Sequence, residues 1–251
     1  MYPTLWGTID TYTLMLLIGA FSAILGFYFY AKKNDFEKNY RLDIEIIAVI
    51  SIIVGVGSGM FFQWFFDLLK QNHEHNAFSM TFFGGLLGGV VIFIVIYLLY
   101  VKKKYPQHNF TELLIIGPAC ITSAHAFGRI GCFLAGCCYG IKTDSWLGIK
   151  FPDLPYKVYP TQLFEAIFLF MLSAILFYLA LKKKNRYTMP IYLFSYGTFR
   201  FLIEFIRGDD RGAFFLSLSP SQWFSIIAIL IGIAIIVIFT KKDKKSLEED
   251  K

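Results

Sequence analysis

Seven apolar runs of about 20 residues each constrain the fold of this chain more than any other feature. They lie near residues 12–31, 44–65, 80–101, 113–133, 161–181, 189–207 and 220–240. An α-helix needs about 20 apolar residues to cross the hydrocarbon core of a bilayer. Because a helix satisfies its backbone hydrogen bonds internally, the runs predict an all-α, polytopic membrane protein with seven transmembrane helices.

The composition leaves no room for a separate soluble domain, because 56% of the 251 residues are hydrophobic. We expect one transmembrane domain, residues 1–240, and a basic, polar cytoplasmic tail, residues 241–251. The net charge of +6 is compatible with nucleic-acid binding, but the lysines lie in short clusters between the apolar runs. That distribution is typical of a membrane protein, and we expect no nucleic-acid partner.

The basic clusters predict the orientation. They follow the first, third, fifth and seventh runs, and their members are Lys32, Lys33, Lys38 and Arg41; Lys102, Lys103 and Lys104; Lys182, Lys183, Lys184 and Arg186; and Lys241, Lys242, Lys244 and Lys245. Cytoplasmic loops of membrane proteins are enriched in lysine and arginine. A seven-helix zigzag therefore has its N-terminus outside and its C-terminus in the cytoplasm.

Two glycine-rich segments lie in the second and third runs. They read VGVGSG, residues 54–59, and GGLLGG, residues 84–89. Small residues let helix backbones approach each other closely in a membrane. We therefore interpret these glycines as helix-packing positions rather than as a phosphate-binding loop.

The sixth run carries charges inside an apolar segment. Tyr196, Arg200, Glu204 and Arg207 follow the spacing i, i+4, i+8, i+11, which predicts one stripe along a continuous helix. A charge near the middle of a membrane costs roughly 2.5–3.5 kcal/mol, so it normally faces a polar interior. The stripe is therefore a candidate functional site. The alternative is a helix-stabilising Arg–Glu pair near the membrane edge.

Other polar residues share the depth of this stripe in the predicted topology. Arg129 and His125 lie near the outer end of the fourth run, Gln162 and Glu165 at the outer start of the fifth, and Tyr12 at the outer start of the first. Three arginines against two carboxylates predict an electropositive pocket. Since arginine matches phosphate with a bidentate fork, the pocket would suit an anionic phospholipid headgroup. His125, one turn from Arg129, is a candidate base.

Four cysteines lie in or just after the fourth run: Cys120, Cys132, Cys137 and Cys138. Together with a histidine they contain the ligand types of a zinc site. The spacing argues against metal, because no C-x-x-C pair exists and the adjacent Cys137 and Cys138 are expected to diverge. We predict no metal site. Structural thiols are the first interpretation, and a disulfide or a reactive thiol is the alternative.

Three segments resemble those of the prolipoprotein diacylglyceryl transferases, which are seven-span bacterial membrane enzymes. Residues 128–134 resemble the family's GRxGNFxN signature, residues 159–165 its HPSQLYE segment, and residues 196–207 its YGxxRFxxEFxR segment. The order of the segments and the predicted topology agree with that family over most of the chain.

The resemblance implies an activity. These enzymes transfer the diacylglyceryl group of phosphatidylglycerol to the thiol of a lipobox cysteine, making a thioether and releasing glycerol phosphate. The implied partners are phosphatidylglycerol and a prolipoprotein or other extracytoplasmic acceptor at the bacterial cell membrane, with no cofactor. The expected catalytic residues are Arg129, Arg200 and His125, and the expected substrate-binding residues are Tyr12, Gly131, Gln162, Glu165, Tyr196, Glu204 and Arg207.

The chain departs from the family pattern at five positions, two of which are Ala135 for the signature's second asparagine and Cys137 for its acidic residue. Cys132 stands where the signature has asparagine, Phe83 where the third span has histidine, and Tyr159 where the fifth span has histidine. These changes affect the part of the site expected to activate the acceptor. The alternatives are a related transferase that uses phosphatidylglycerol with a hydroxyl or glycan acceptor, or a non-catalytic lipid-binding membrane protein.

Overall fold

The computed structural model describes residues 4–5, 9–69, 82–208 and 218–249. The helices are α1 Thr11–Lys33, α2 Lys38–Leu69, α3 Phe82–Ile96, α4 Lys102–Lys104, α5 Phe110–Ala135, α6 Thr161–Lys183, α7 Thr188–Ile203 and α8 Pro220–Glu249. A π-helical turn, Tyr97–Val101, joins α3 to α4, and a 3₁₀ turn, Glu204–Ile206, follows α7. Two short antiparallel pairs are β1 (Thr4–Leu5) with β2 (Ile9–Asp10), and β3 (Ile149–Lys150) with β4 (Lys157–Val158).

Six helical stretches in the described ranges are long and apolar enough to cross a membrane. They are Thr11–Lys33, Lys38–Phe65, Gly84–Lys104, Phe110–Ala135, Thr161–Lys183 and Pro220–Lys241, which confirms a polytopic, helical membrane protein. The sixth predicted run forms α7, whose 16 residues extend about 24 Å, short of a core of roughly 30 Å. The last run continues as α8 through Glu249, so the beginning of the predicted tail is helical.

The chain packs as two units, and the first contains residues 1–30 and 110–251. In it, α5 packs against α6 and α7, and α7 packs against α8. Helix α1 approaches α5 at Gly19, where an added Cβ would lie 2.8 Å from the carbonyl oxygen of Ala124. The hydroxyls of Ser22 and Ser123 form a hydrogen bond of 2.9 Å between the same two helices. Small residues therefore set the close contact of α1 with α5.

The second unit contains residues 31–109, and its main contact joins α2 to α3. An added Cβ on Gly55 would lie 2.8 Å from the carbonyl oxygen of Gly85. Nearby, the hydroxyl of Ser58 donates to the carbonyl oxygen of Gly84 at 2.9 Å. The predicted packing role of the two glycine-rich segments is confirmed by these contacts.

Pro118 lies inside α5, yet the helix continues without a break from Phe110 to Ala135. Proline has no N–H, so it removes the hydrogen bond that would reach the carbonyl oxygen of Leu114. The hydroxyl of Thr188, in the first turn of α7, donates to that oxygen at 3.3 Å. A side chain of a neighbouring helix thus replaces the missing backbone donor, and α5 carries its polar residues to the site without interruption.

Asp10 caps the N-terminus of α1. Its Oδ2 accepts hydrogen bonds from the backbone N–H and the hydroxyl of Thr13, at 2.7 Å and 2.6 Å. These bonds lower the pKa of the Asp10 carboxyl below its usual value, the side-chain bond contributing most. Because a cap satisfies an otherwise unpaired N–H of the first turn, Asp10 stabilises the turn that holds Tyr12.

Candidate active site

A single buried carboxylate, Glu165 on α6, lies at the centre of the candidate site, and it is 0% exposed. Arg129 on α5 places Nε 3.0 Å from Oε2 of this carboxylate. His125, one turn earlier on α5, places Nε2 3.7 Å from Oε1. Tyr196 on α7 donates its phenolic O–H to Oε1 at 2.9 Å. Three helices therefore bring four of the predicted site residues together.

Aromatic contacts fix the orientation of two of these groups. The rings of His125 and Tyr196 meet edge to face, with centroids 5.2 Å apart. On its other side Tyr196 stacks on Tyr192, with the rings parallel to within 2° and centroids 5.9 Å apart. Tyr192 was not among the residues predicted from the sequence. Its spacing of four residues from Tyr196 was the available signal, since residues i and i+4 lie on one helix face.

Arg200 on α7 is the second buried arginine of the site and is 5% exposed. Its Nη2 lies 2.7 Å from Oε2 of Glu204 and donates to the hydroxyl of Ser221 at 3.0 Å. Arg200 also interacts electrostatically with Glu165. Its Nη1 is buried and has no hydrogen-bond partner among the described residues. A buried guanidinium donor without an acceptor is costly, so this nitrogen is a suitable point for a ligand oxygen.

The stripe predicted along the sixth run is wrong at its last member, Arg207. Helix α7 ends before Glu204, and Arg207 has an extended backbone, with φ −76° and ψ 144°. The N–H of Ile141 donates to the carbonyl oxygen of Ile206 at 2.9 Å, and Arg207 pairs with Gly140 in a β-bridge. These bonds to a distant segment replace those of a continuing helix. Arg207 nevertheless stays in the site, because its Nε lies 3.9 Å from Oε2 of Glu204.

The start of α8 supplies two partners that the sequence analysis missed. The hydroxyl of Ser219 donates to Oε1 of Glu204 at 2.8 Å, while Ser221 binds Arg200. The backbone N–H of Ser219 donates to Oε1 of Gln222 at 2.9 Å, and the N–H of Gln222 donates to the hydroxyl of Ser219 at 3.3 Å. This is a capping box, and the pattern S-x-x-Q with proline at the first helical position was its signal.

Gln162, at the start of α6, is buried and holds the segment that follows α5. Its Nε2 donates to the carbonyl oxygen of Cys137. The hydroxyl of Thr161 donates to the carbonyl oxygen of Cys138 at 2.9 Å. The Oε1 atom of Gln162 is buried without a hydrogen-bond partner among the described residues. The expected substrate-binding role of Gln162 stays a prediction, and its contact with the loop is a structural role beside it.

Tyr12 and Gly131 lie against each other where α1 meets the end of α5. An added Cβ on Gly131 would lie 3.0 Å from a ring carbon of Tyr12 and 3.2 Å from Cβ of Met15. Tyr12 also interacts electrostatically with Arg129. The structure thus brings Tyr12 to the site as expected. It gives Gly131 a packing role, and its expected substrate contact stays a prediction.

Three cysteines form a cluster beside these residues. The Sγ atoms of Cys132, Cys137 and Cys138 all lie within 4.8 Å of one another. The prediction that Cys137 and Cys138 diverge is therefore wrong. Gly136 and Cys138 have positive φ angles of 76° and 63°, and the N–H of Cys137 donates to the carbonyl oxygen of Cys132 at 3.1 Å. This left-handed helix end turns the chain back over α5 and gathers the three thiols.

Hydrogen bonds within the cluster shift the pKa values of the Cys137 and Cys138 thiols in opposite directions. Bonds with the Cys132 and Cys137 thiols lower the pKa of Cys138 well below its usual value, and the charges of Arg207 and Arg129 lower it further. The pKa of the Cys137 thiol is raised, chiefly by its hydrogen bond with Cys132. Cys138 is therefore the more acidic of the two loop thiols.

The charges of the site leave a positive excess. Arg129, Arg200 and Arg207 contribute three positive charges, and Glu165 and Glu204 contribute two negative ones. An excess of one positive charge matches the single negative charge of a phosphodiester. Because the surroundings are largely buried, the attraction between such groups is stronger than in water.

Comparison with known proteins shows the family of this chain. The sequence profile of the family described as prolipoprotein diacylglyceryl transferase matches residues 4–238. The chain belongs to this family. The matched range contains every residue of the candidate site, so the resemblance found in the sequence segments is confirmed for the family as a whole.

Three relatives have similar lengths. A Clostridium perfringens protein named phosphatidylglycerol--prolipoprotein diacylglyceryl transferase 2 is 34% identical over 96% of this chain and 95% of its own length. Proteins named phosphatidylglycerol--prolipoprotein diacylglyceryl transferase are 32% identical in Clostridium tetani, over 88% of this chain and 90% of that protein, and 33% identical in Chlorobaculum tepidum, over 82% and 76%.

Proposed function

We propose that this chain transfers the diacylglyceryl group of phosphatidylglycerol to the thiol of a lipobox cysteine in a prolipoprotein and releases glycerol phosphate. Its family and the names of its relatives support this transferase activity at the bacterial cell membrane. Two buried arginines, Arg129 and Arg200, are the observation that carries the proposal. Arg129 pairs with Glu165, and Nη1 of Arg200 is buried without a hydrogen-bond partner among the described residues.

The charge change of the reaction suits these groups. When the C–O bond of the glyceryl carbon breaks, its electron pair stays on the phosphate oxygen and the leaving glycerol phosphate gains negative charge. Arg129 and Arg200 would hold the phosphate, and both are fixed in advance by Glu165 and Glu204. Groups that are already oriented toward the place where charge develops stabilise a transition state more than the ground state.

His125 is the proposed base for the acceptor thiol. Its Nε2 lies 3.7 Å from Oε1 of Glu165, and its ring is held against Tyr196. A thiol becomes nucleophilic only as the thiolate, so its proton needs an acceptor near the leaving phosphate. The carboxylate of Glu165 would stabilise the imidazolium that forms.

The remaining expected residues would shape the substrate-binding surface around these groups. Tyr12, Tyr196, Glu204 and Arg207 each contact or interact with a charged member of the site, and Gln162 holds the loop beside it. The names of the relatives favour a prolipoprotein acceptor over a glycan or hydroxyl acceptor, and they favour an enzyme over a non-catalytic lipid-binding protein.

We also propose seven membrane spans, with the N-terminus outside, residues 1–240 as the membrane domain and residues 241–251 as a cytoplasmic tail. The short α7 would span together with the 3₁₀ turn after it. The irregular backbone there is hydrogen-bonded, since the N–H of Gly208 donates to the carbonyl oxygen of Tyr139 at 3.2 Å. Such backbone is tolerated at membrane depth where protein surrounds it. Reporter fusions after Tyr156 and after Lys184 should report opposite sides.

An assay with purified protein tests the function. Protein in detergent micelles receives phosphatidylglycerol and a lipobox peptide, and glycerol phosphate release is measured. Arg200→Gln should lower the rate by about 100–1,000-fold, as for loss of one preorganised charged donor. Arg41→Gln is the matched control, because Arg41 also pairs with a glutamate four residues on but lies in the second unit. A folded wild type that releases no glycerol phosphate would contradict the proposal.

A further inference from the structure

The thiols of Cys132, Cys137 and Cys138 form a group that the proposed reaction does not use. Cys132 is buried at the end of α5, Cys138 is partly buried, and Cys137 is exposed. All four cysteines of the chain are free thiols, and three of them have their Sγ atoms within 4.8 Å of one another. An arrangement of three soft ligands with one exposed side is accessible to an ion from solution.

The distances suit a tetrahedral thiolate site. With metal–sulfur bonds of about 2.3 Å, as in zinc sites, two sulfur ligands of a tetrahedron lie about 3.8 Å apart. The observed spread of up to 4.8 Å requires small side-chain rotations to reach that value. A disulfide requires a sulfur–sulfur distance of about 2 Å and would leave the third thiol over. The geometry therefore favours one ion held by three sulfurs.

The backbone and the charges around the cluster support this assignment. Thr161 and Gln162 donate to the carbonyl oxygens of the two loop cysteines, so the loop is fixed from α6. Three thiolates and one divalent ion carry a net charge of −1. Arg129 and Arg207 interact electrostatically with Cys138, which favours the thiolate form that a metal ligand needs.

We propose that Cys132, Cys137 and Cys138 bind one thiophilic divalent cation of the zinc class, and that its fourth coordination position accepts the thiol of the acceptor cysteine. In the described residues the cluster offers three ligands, whereas zinc takes four, so one position is left for an exchangeable ligand. Soft thiolate ligands select such metals over magnesium or calcium.

The second half of this proposal rests on the proposed function. The thiol loses its proton to the base on coordination, and its sulfur then attacks the glyceryl carbon. The C–S bond forms as the C–O bond breaks, and the electron pair leaves with the phosphate. The cluster adjoins Arg129, which interacts electrostatically with Cys132 and Cys138, so the sulfur and the phosphate would be held side by side.

Metal content tests the site without any lipid. The full-length protein is purified anaerobically with a non-chelating reductant, loaded with zinc, freed of excess metal, and measured by elemental mass spectrometry. We expect about one zinc per chain in the wild type and in Cys120→Ser, whose cysteine lies twelve residues, or about 18 Å, before Cys132 on α5. The Cys132→Ser/Cys137→Ser/Cys138→Ser variant should lose it.

Thiol labelling gives a second measurement. Zinc should protect three thiols of the wild type from a maleimide, and a strong chelator should restore their reactivity. If the triple variant does not fold, Cys137→Ser alone, at an exposed position, should lower the zinc affinity. Equal zinc in the wild type and in the Cys132→Ser/Cys137→Ser/Cys138→Ser variant, or an intramolecular disulfide in the anaerobic preparation, would overturn the site.

Cobalt substitution tests the open position. The cobalt-loaded protein should show sulfur-to-cobalt charge-transfer absorption. A lipobox peptide should change this absorption, whereas the same peptide with serine in place of the lipobox cysteine should leave it unchanged. Identical spectra with both peptides would overturn the proposal that the acceptor thiol occupies the fourth coordination position. Glycerol phosphate release from the same preparations separates the two proposals, because an inactive protein that holds zinc contradicts only the transferase function.

Discussion

The pair of Arg129 and Glu165 gives the sharpest test of the site's electrostatics. Glu165→Gln keeps the shape of the side chain, and Tyr196 can still donate to its Oε1, so the change removes mainly the charge. Glu165 is 0% exposed and the Arg129 side chain is 11% exposed, so the arginine would stay buried without its partner. Breaking a buried ion pair costs about 3–5 kcal/mol. Since the hydrogen bond of Tyr196 persists, we expect Glu165→Gln to lower the free energy of unfolding by about 3 kcal/mol, at the lower end of this range.

A double-mutant cycle isolates the interaction. Arg129→Gln should cost a similar amount, because it leaves the carboxylate unpaired. The double variant leaves no unpaired charge and should therefore cost less than the sum, with a coupling energy of about 1–3 kcal/mol. Unfolding by a denaturing detergent in mixed micelles, followed by circular dichroism, measures all four proteins.

The pair of Arg41 and Glu45 is the control for this cycle. Its atoms Nε and Oε1 lie 3.6 Å apart, and its side chains are 21% and 18% exposed. The side chains of this pair are more exposed than those of Arg129 and Glu165 and its two atoms are farther apart, so its coupling should be the smaller of the two. If the loss of unfolding free energy in the double variant equals the sum of the two single losses to within about 0.5 kcal/mol, Arg129 and Glu165 do not interact as a charge pair. That result would refute the proposed arrangement of the site.

Three further predictions test the residues around this pair. His125→Ala should lower the rate of transfer by about 100–10,000-fold, as for loss of a general base, while binding of phosphatidylglycerol vesicles stays unchanged. Gly131→Ala places a methyl group 3.0 Å from the Tyr12 ring and should cost about 1–3 kcal/mol of unfolding free energy, whereas Gly117→Ala on the same helix has no atom within 4 Å and should cost nothing. Asp10→Ala should raise amide exchange in the first turn of α1 at neutral pH, and the difference from the wild type should vanish as the pH falls through the lowered pKa of this carboxyl.

The helices were the predictable part of this fold, because hydropathy alone decides where a chain can cross a membrane. The run predicted at 161–181 became α6, Thr161–Lys183, with the proline before it and the lysines at its end marking the limits. The run predicted at 189–207 extends four residues beyond the short α7, which ends at Ile203. Phe205 and Ile206 continue the apolar pattern after Glu204, so composition contains no sign of the change from an α-helix to a 3₁₀ turn.

The end of α7 and the cysteine cluster depend on contacts between distant segments. Ile141 binds the carbonyl oxygen of Ile206 across 65 positions, and no local pattern encodes that bond. The cluster had a partial signal, since Gly136 directly follows α5 and glycine often ends helices in a left-handed conformation. The same conformation at Cys138 is unusual for a residue with a Cβ and could not be predicted.

The position of the carboxylates explains how the arginines become a binding site. Arg129 faces Glu165 with Nε, which lies 3.0 Å from Oε2 of the carboxylate. Arg200 is anchored through Nη2 to Glu204 and Ser221, which leaves Nη1. The Arg200 guanidinium therefore has one part fixed by protein and another part available. Sequence alone predicts which charges share a leaflet, but only the packing of α5, α6 and α7 decides which carboxylate fixes which arginine. Because the fixed part sets the direction of the available part, the carboxylates contribute to phosphate recognition without touching the phosphate.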